Sequence, residues 1–433
     1  MKTFVLSLLA IVFLASSETL SESKEDNLRW YKGNLHTHTL WSDGDDFPEM
    51  VADWYESHGY NFLAISDHNV LSIGDRWMNI KDIDKRSGAK AFQRYTDRFG
   101  SPWVETRGDR DAGTFEVRLK PLDAIRPLVE RSGQFLMIPS EEITEKGVHI
   151  NATNIGEAIP PQSGKSIVET IQNTLKAIDE QSKRLGRDII PHLNHPNRGD
   201  KGISAEELAA LVQDEFFEVF NGVEGDGDLG SARRHSLEML WDITSTLRLS
   251  EFGAPPLFGL ATDDSHNYHG QQKASPGRGW IMLRAKELTT EAIIAAMRRG
   301  DFYSSTGVTL HDVQFDKLKK VYTINIEPKG GVEYTTTFIG SRRNFDKTSQ
   351  PRIDPESGKP IERTRDYSKD VGMAFFQTKG NVAQYRLTGD ELYVRAVVTS
   401  SEKTSNPTTE SMLQKAWTQP VGWDLESNDA KPK

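Results

Sequence analysis

From about Leu28 to Gly307, short apolar runs alternate with amphipathic stretches. A helix is expected from Pro48, with Met50, Val51, Trp54 and Tyr55 on one face and Gly59 as its stop. Proline at the first turn and glycine just past the end is the usual asymmetry of helix termini. Phe62 to Ile65 reads as a buried strand. Ser166 with Glu169 makes a capping box, opening a helix that turns Ile167, Ile171, Leu175 and Ile178 inward and ends at Gly186. Ile189-Ile190 is the next strand, Ser204 with Glu207 a second capping box, and Phe216 to Phe220 and Leu257 to Ala261 are further strands. Glu291 to Arg299 is a helix ended by Gly300. Strand–helix alternation at this spacing predicts an α/β fold with a parallel sheet, open or closed into a barrel.

Two regions break the rhythm. Arg76 to Arg131 is polar, carries Trp77, Trp103, Arg107 and Arg110, and is expected as an insertion over one end of the sheet. From Val308 the pattern changes to strand-like alternation, as in Val321 to Ile326 and Glu391 to Val398, around a charged, turn-rich stretch from Arg342 to Asp370. Val308 to Trp423 is therefore expected as a small β-rich C-terminal domain, and Asp424 to Lys433 as a frayed tail. At the other end, Lys2, the apolar run Phe4 to Leu14 and the small residues Ala15-Ser16-Ser17 follow the order of a signal peptide. Residues 1–20 are expected to be removed and the protein exported, to a periplasm or outside the cell. The apolar run is well short of the ~20 residues that span a bilayer, so no membrane association is expected after cleavage.

Charge narrows the classes of partner. Lys and Arg number 53 against 63 Asp and Glu, a net of −10, which disfavours nucleic acid as a ligand. A chain without cysteine has no disulfides, thiolate metal ligands or cysteine nucleophile.

The candidate chemistry lies where strands end. His36 and His38 are two apart in Asn34-Leu35-His36-Thr37-His38-Thr39, which reads as a strand and so puts both imidazoles on one face, at a spacing that can hold one metal ion. Asp43 follows in a Ser42-Asp43-Gly44 turn. Asp67-His68 follows the Phe62 to Ile65 strand, Glu142 follows Leu136 to Pro139, and His149 is seven residues on. His192 and His195 follow Ile189-Ile190, and Asp264-Ser265-His266 follows Leu257 to Ala261. Most of the eleven histidines thus sit at strand exits, which converge on one rim in a strand–helix barrel. Imidazole and carboxylate without sulfur suit Zn, Mn or Fe, and eight or nine ligands imply two or three ions. Glu218 and Asn221 also end a strand and are candidates to line the pocket. The Asn151-Ala152-Thr153 sequon is discounted, because it lies beside a ligand strand.

These residues, taken in order, resemble the motifs of the PHP (polymerase and histidinol phosphatase) superfamily. The likeness rests on Asn34 to Thr39 with Ser42-Asp43-Gly44, Ala64-Ile65-Ser66-Asp67-His68, Ser140-Glu141-Glu142-Ile143-Thr144, His149-Ile150, Asn194-His195-Pro196 and Thr262-Asp263-Asp264-Ser265-His266. It spans roughly Leu28 to Gly307. Arg278-Gly279-Trp280, the segment Gly300 to Gly307, Leu392 to Arg395 and Ala416 to Pro420 further resemble an exported branch with a C-terminal β module. The resemblance implies a distorted (β/α)7 TIM-like barrel with a di- or trinuclear site at its carboxyl rim. Carried over, His36 and His38 would bind one metal with Asp264 or Glu142, and Glu142 would bridge to a second metal shared by His68 and His149. Asp43, His195 and His266 would complete the second or third ion. The motifs favour Glu142 over Glu141, His195 over His192 and Asp264 over Asp263, and make Asp67 an acceptor that orients an imidazole.

The expected activity is hydrolysis of a small, anionic phosphate ester by a hydroxide bridging the ions. Asp67 is a candidate leaving-group acid, and Arg198 a candidate clamp on the anion. The alternatives are hydrolysis of a carboxylic ester, amide or carbamate on the same ions, with Trp77 or Trp103 lining the pocket, and a non-catalytic secreted binding protein.

Overall fold

The computed structural model describes residues 28–198 and 202–425. The expected signal peptide lies outside the described residues, as does the expected tail from residue 426 onward. The fold is mixed α/β, built on one sheet of thirteen strands with smaller sheets beside it. Nine of its strands precede Val308: β1 (Arg29–Asn34), β2 (Phe62–Ile65), β3 (Leu136–Glu145), β4 (Val148–Thr153), β5 (Ile190–Leu193), β6 (Phe216–Asn221), β7 (Phe258–Thr262), β8 (Trp280–Ala285) and β9 (Phe302–Ser305). They run side by side in the order β7-β6-β5-β4-β3-β2-β1-β8-β9. Every residue of β2 and β6 is buried, as expected of strands covered on both faces.

The sheet departs from the expected all-parallel pattern. β1–β2, β2–β3, β5–β6 and β6–β7 are parallel, whereas β3–β4, β4–β5 and β1–β8 are antiparallel. The cause at β3–β4 is local. Lys146 and Gly147 both have positive φ, +49° and +83°, the two-residue geometry that folds a strand straight back on itself. The chain returns before a helical crossover can form. His149 consequently starts β4 at the same end of the sheet as Glu142, which lies inside β3 rather than after it.

A second departure concerns the two-apart histidines. β1 ends at Asn34, so His36 and His38 belong to an extended segment beyond the strand. There Thr37 bridges to Ser265, and the His38 N–H donates to the Ser265 carbonyl at 2.9 Å. The chain leaving β1 thus meets the chain leaving β7, although six strand pairings separate the two strands along the sheet.

Helices pack on the sheet much as the pattern predicts, at Pro48–Ser57, Ile167–Leu185, Ala205–Ala210 and Thr290–Arg298. The Ser204–Glu207 pair is a reciprocal capping box. The Ser166–Glu169 pair is only half of one, since the Glu169 carboxylate accepts from the Lys165 N–H instead. A helix at Leu237–Leu247, absent from the sequence reading, is nearly all buried, so no polar stripe marks its phase.

Residues 76–131 form a three-stranded antiparallel sheet with helices Ile80–Ser87, Ala91–Phe99 and Leu122–Val129. This unit packs against the turn that follows β1, where Trp41 Nε1 donates to the Lys120 carbonyl at 3.1 Å. After Val308 the main sheet continues without a break. β9 pairs with Leu413–Thr418, and beyond it lie Glu391–Lys403, Tyr334–Arg342 and Met373–Lys379. Arg395 in this part makes a buried two-point ion pair with Asp242 on the Leu237–Leu247 helix, at 2.6 and 2.7 Å. No helix among the described residues is long and apolar enough to cross a membrane.

Candidate metal centre

At the carboxyl ends of the parallel strands, chain segments far apart in sequence bring histidines and carboxylates into one cluster. Glu142, fully buried, is its hub. Its Oε1 lies 3.3 Å from His36 Nε2, 2.9 Å from His149 Nδ1 and 3.6 Å from His195 Nε2. Its Oε2 lies 3.4 Å from His38 Nε2 and 2.8 Å from His68 Nδ1. Asp264 is a second hub, with Oδ1 at 3.2 Å from His36 Nε2 and 3.1 Å from His38 Nε2. Three groups of possible ligand atoms, each within 4.8 Å of one another, tile the cluster: His36, His38 and Asp264; His68, Glu142 and His149; and His38, Asp43, His68 and His266.

Local backbone geometry aims these side chains. Gly44 closes the turn after His38 so tightly that a Cβ there would stand 2.5 Å from the His38 carbonyl. That turn carries Asp43 back over the cluster, with Oδ1 3.4 Å from His266 Nε2 and Oδ2 3.7 Å from His68 Nε2. His195 and Asp264 adopt left-handed backbone, at φ +26° and +47°. Non-glycine residues held there carry strain that the surrounding structure must offset, and such residues gather at functional sites.

The cluster has a closed side and an open side. His36, His38, Glu142 and Asp264 are buried, whereas Asp43 is 54% exposed and His68, His149 and His266 are partly exposed. Burial pushes the Glu142 and Asp264 carboxyls up, but the imidazoles around them outweigh it and hold both well below the usual range. Burial likewise lowers His36, yet Asp264, Glu142 and Glu218 raise it well above an ordinary histidine. His38 goes the other way, to about 3, through burial and the neighbouring His266. Ionised carboxylates so close together call for positive charge, and protons and divalent cations compete for the same imidazole nitrogens.

The residues fit divalent metal. Glu142 Oε2 and His195 Nε2 are buried without a hydrogen-bond partner, although both sit in the cluster. The 2.8 Å approach of His68 Nδ1 to Glu142 Oε2 is not aligned as a hydrogen bond, and that nitrogen instead lies 2.7 Å from Thr144 Oγ1. The donors are imidazole and carboxylate throughout, the set that suits transition metals or zinc.

Within each ambiguous pair the structure separates the two residues. Glu141 faces away, its Oε2 accepting the Ile159 N–H at 2.9 Å. Asp263 is spent on the backbone N–H groups of Gly277, Arg278 and Gly279 and on the Tyr55 hydroxyl. His192 lies behind His36, 3.9 Å from Glu218 Oε1, while His195 faces Glu142.

Two of the expected roles are corrected. Asp67 does not face the cluster, nor does it orient an imidazole. Its oxygens accept from the Thr39 and Ser42 N–H groups and hydroxyls, so it braces the turn that carries Asp43. Arg198 turns its Nε–Nη2 edge to the protein's own carboxylates rather than to a substrate anion. Its Nε and Nη2 bond Asp226 at 2.8 and 2.6 Å, and Nη2 also bonds Asp264 Oδ2 at 2.7 Å, making it a brace for Asp264. Trp103 is packed, half-buried, against the apolar core of the 76–131 unit, with its Nε1 donating to Glu49 of the Pro48–Ser57 helix at 2.9 Å. Asn151 is buried and donates to the Leu35 carbonyl at 2.9 Å, so it is no glycosylation site. Sequence reading missed Thr144 and gave no role to Asn194, whose amide donates to Glu142 Oε1 at 2.7 Å. The one signal for Asn194 was its place directly before His195-Pro196.

No family model matches the chain, and no curated protein does. Among solved structures it is similar to a two-domain protein from Bacteroides vulgatus described as containing a predicted PHP-like metal-dependent phosphoesterase, at 14% identity and a TM-score of 0.39. That alignment covers 91% of this chain and 96% of the other. At that distance, any functional reading rests on the geometry of the cluster itself.

Proposed function

We propose that the protein is a metal-dependent hydrolase of the PHP type, acting on a phosphate ester at a di- or trinuclear centre. The observation that carries this reading is the sharing of ligands between adjacent groups, with Glu142 touching five imidazoles and His38 and His68 each belonging to two groups. Groups that interlock this closely imply neighbouring ions, two of which the Glu142 carboxylate could bridge, the arrangement suited to in-line displacement at phosphorus. His36, His38 and Asp264 would hold one ion, His68, Glu142 and His149 a second, and Asp43 with His266 would complete the open side, His195 lying between Glu142 and Asp264. Ions bound there would supply Lewis acidity and an activated water near neutral pH. The chain's own part is to fix their geometry: Arg198 and Asn221 hold Asp264, Asn194 holds Glu142, and Asp67 sets the turn of Asp43. The exposed Asp43 face is the side from which substrate would enter.

The meeting of Thr37 with Ser265 supports reading β1 to β7 as a distorted seven-stranded barrel. The accessory role of the C-terminal strands and export by a cleaved leader are part of the same proposal. The test is to purify the protein, count metals by elemental analysis and compare turnover of an aryl phosphate with the matching aryl ester and aryl carbamate. Metal-dependent turnover of the phosphate above the other two is expected. Preference for ester or carbamate would overturn the phosphate assignment, and full turnover in metal-stripped protein would overturn the whole reading.

A further inference from the structure

Behind the cluster, on the side away from solvent, lies a carboxylate that touches none of the substrate-facing groups. Glu218, in β6, is fully buried, and four donors meet on it. Its Oε1 lies 2.7 Å from His36 Nδ1 and accepts from the Thr262 hydroxyl at 2.6 Å. Its Oε2 accepts the His195 backbone N–H at 2.7 Å and the Asn221 amide at 2.8 Å. The same Asn221 amide also reaches Asp264 Oδ2 at 3.2 Å. One carboxylate thereby ties together the ends of β1, β5, β6 and β7, the strands that deliver His36, His195 and Asp264.

We propose that Glu218 is the positioning residue of the metal centre, fixing the proton of His36 on Nδ1 so that Nε2 is the nitrogen turned toward Glu142 and Asp264, and pinning the left-handed backbone of His195 through its N–H. This rests on the metal-centre reading above. A carboxylate has about four lone-pair directions and no proton of its own, so four donors saturate it. A glutamine of the same shape cannot replace it, because its NH2 would confront either the His36 Nδ1–H or the His195 N–H. Carboxylates behind ligating histidines fix the ring tautomer and raise its basicity, and their loss typically weakens metal binding about 10–100-fold. The adjacent His192 is buried with both ring nitrogens lacking hydrogen-bond partners, and His36, His192 and Glu218 together form a further group of possible ligand atoms. Against a separate ion there stands the 2.7 Å contact on His36 Nδ1, which uses the nitrogen such an ion would need.

The experiment compares the full chain with Glu218→Gln and Thr262→Val, titrating Zn2+ or Mn2+ into chelator-stripped protein by calorimetry and counting bound metal at saturation. A wild type that binds no metal would sink the parent reading and with it this one. If wild type binds, Glu218→Gln is expected to keep the same metal count at saturation with affinity weaker by about 10–100-fold, and Thr262→Val to fall between. Nitrogen-15 spectra of the stripped proteins, taken at a pH high enough that His36 carries a single proton, should place that proton on Nδ1 in wild type and on a mixture of nitrogens in Glu218→Gln. Unchanged affinity in a folded Glu218→Gln protein would overturn the proposal. Loss of one whole ion at saturation would also overturn it, because Glu218 would then be a ligand. If Glu218→Gln fails to fold, the milder Thr262→Val decides by the same affinity and spectral readings.

Discussion

The candidate metal cluster at one end of the central sheet and Asp214 at the other treat buried charge in opposite ways. At the carboxyl ends, Glu142 and Asp264 are buried among imidazoles and held ionised. At the amino ends, Asp214 is equally buried, just ahead of β6, and its carboxyl is pushed up to about 7 by burial. The nearest guanidinium, Arg248, spends its donors on the carbonyls of Leu211, Asp214 and Pro255 rather than on that carboxylate. A cavity of about 680 Å³ also opens at the amino ends, lined by Trp30, Phe258, Phe302 and Trp423 with several arginines. Those arginines are already neutralised: Arg284 pairs with Asp312, Arg298 with Asp188 and Glu215, and Arg299 with Asp301. That hollow is therefore the poorer candidate for chemistry. The cluster at the carboxyl ends gathers carboxylates and imidazoles on which protons and divalent cations compete, and that is the better guide to function.

The comparison breaks most completely at Glu142, which touches both the closed and the open side of the cluster. Glu142→Gln should lower turnover of an aryl phosphate about a thousandfold, roughly 4 kcal/mol of barrier, and reduce bound metal below the wild-type count. Kinetics with elemental analysis read both, and near-normal turnover would remove Glu142 from the centre. Asp43→Asn should act on the open side alone, costing about a hundredfold in turnover while the His36–His38–Asp264 group still holds its ion. Loss of all metal from that variant would mean the two sides are not separable. Chelation comes next in size. If metal binds only the folded chain, stripping it should lower Tm by roughly 5 °C, and re-addition should restore it. No shift on stripping would mean that the imidazoles balance the carboxylates unaided.

Much of the carboxyl-end cluster was legible in the sequence, the amino-end half of the contrast was not, and the failures have local causes. The helix starts are written in a first-turn proline at Pro48 and a capping box at Ser204, so their positions could be read directly. The spacing of His36 and His38 put them on one face, and it does so even though the strand itself stops at Asn34. The antiparallel return at Lys146-Gly147 was hidden, because one dipeptide decides it against the alternation of the whole region. Asp67 and Arg198 were misread for another reason. Residue type marks a group as able to do acid or anion chemistry, but the partners that occupy its lone pairs or donors come from distant segments, Thr39 and Ser42 in one case and Asp226 and Asp264 in the other. Glu218 could be flagged as lying at a strand end, yet its four donors arrive from four strand ends and have no sequence signature.

The smallest predicted effect concerns Asp214 and tests the amino-end half of the contrast. Its folded pKa, about 7, lies above the unfolded value near 4, so the folded state favours the neutral carboxyl. The stability this group contributes is full at pH 4 and is lost as pH rises through 7. Asp214→Asn keeps the shape and removes the ionisation. It should therefore raise stability at pH 8 by about 1–2 kcal/mol, a Tm gain of a few degrees, and give no gain at pH 4. Melting curves at both pH values on metal-free protein isolate the effect from the centre at the other end. A gain of equal size at pH 4 would mean that packing, not charge, governs the site. A loss at pH 8 would mean that Arg248 stabilises the ionised carboxylate after all, and the contrast between the two ends would then be one of degree rather than of kind.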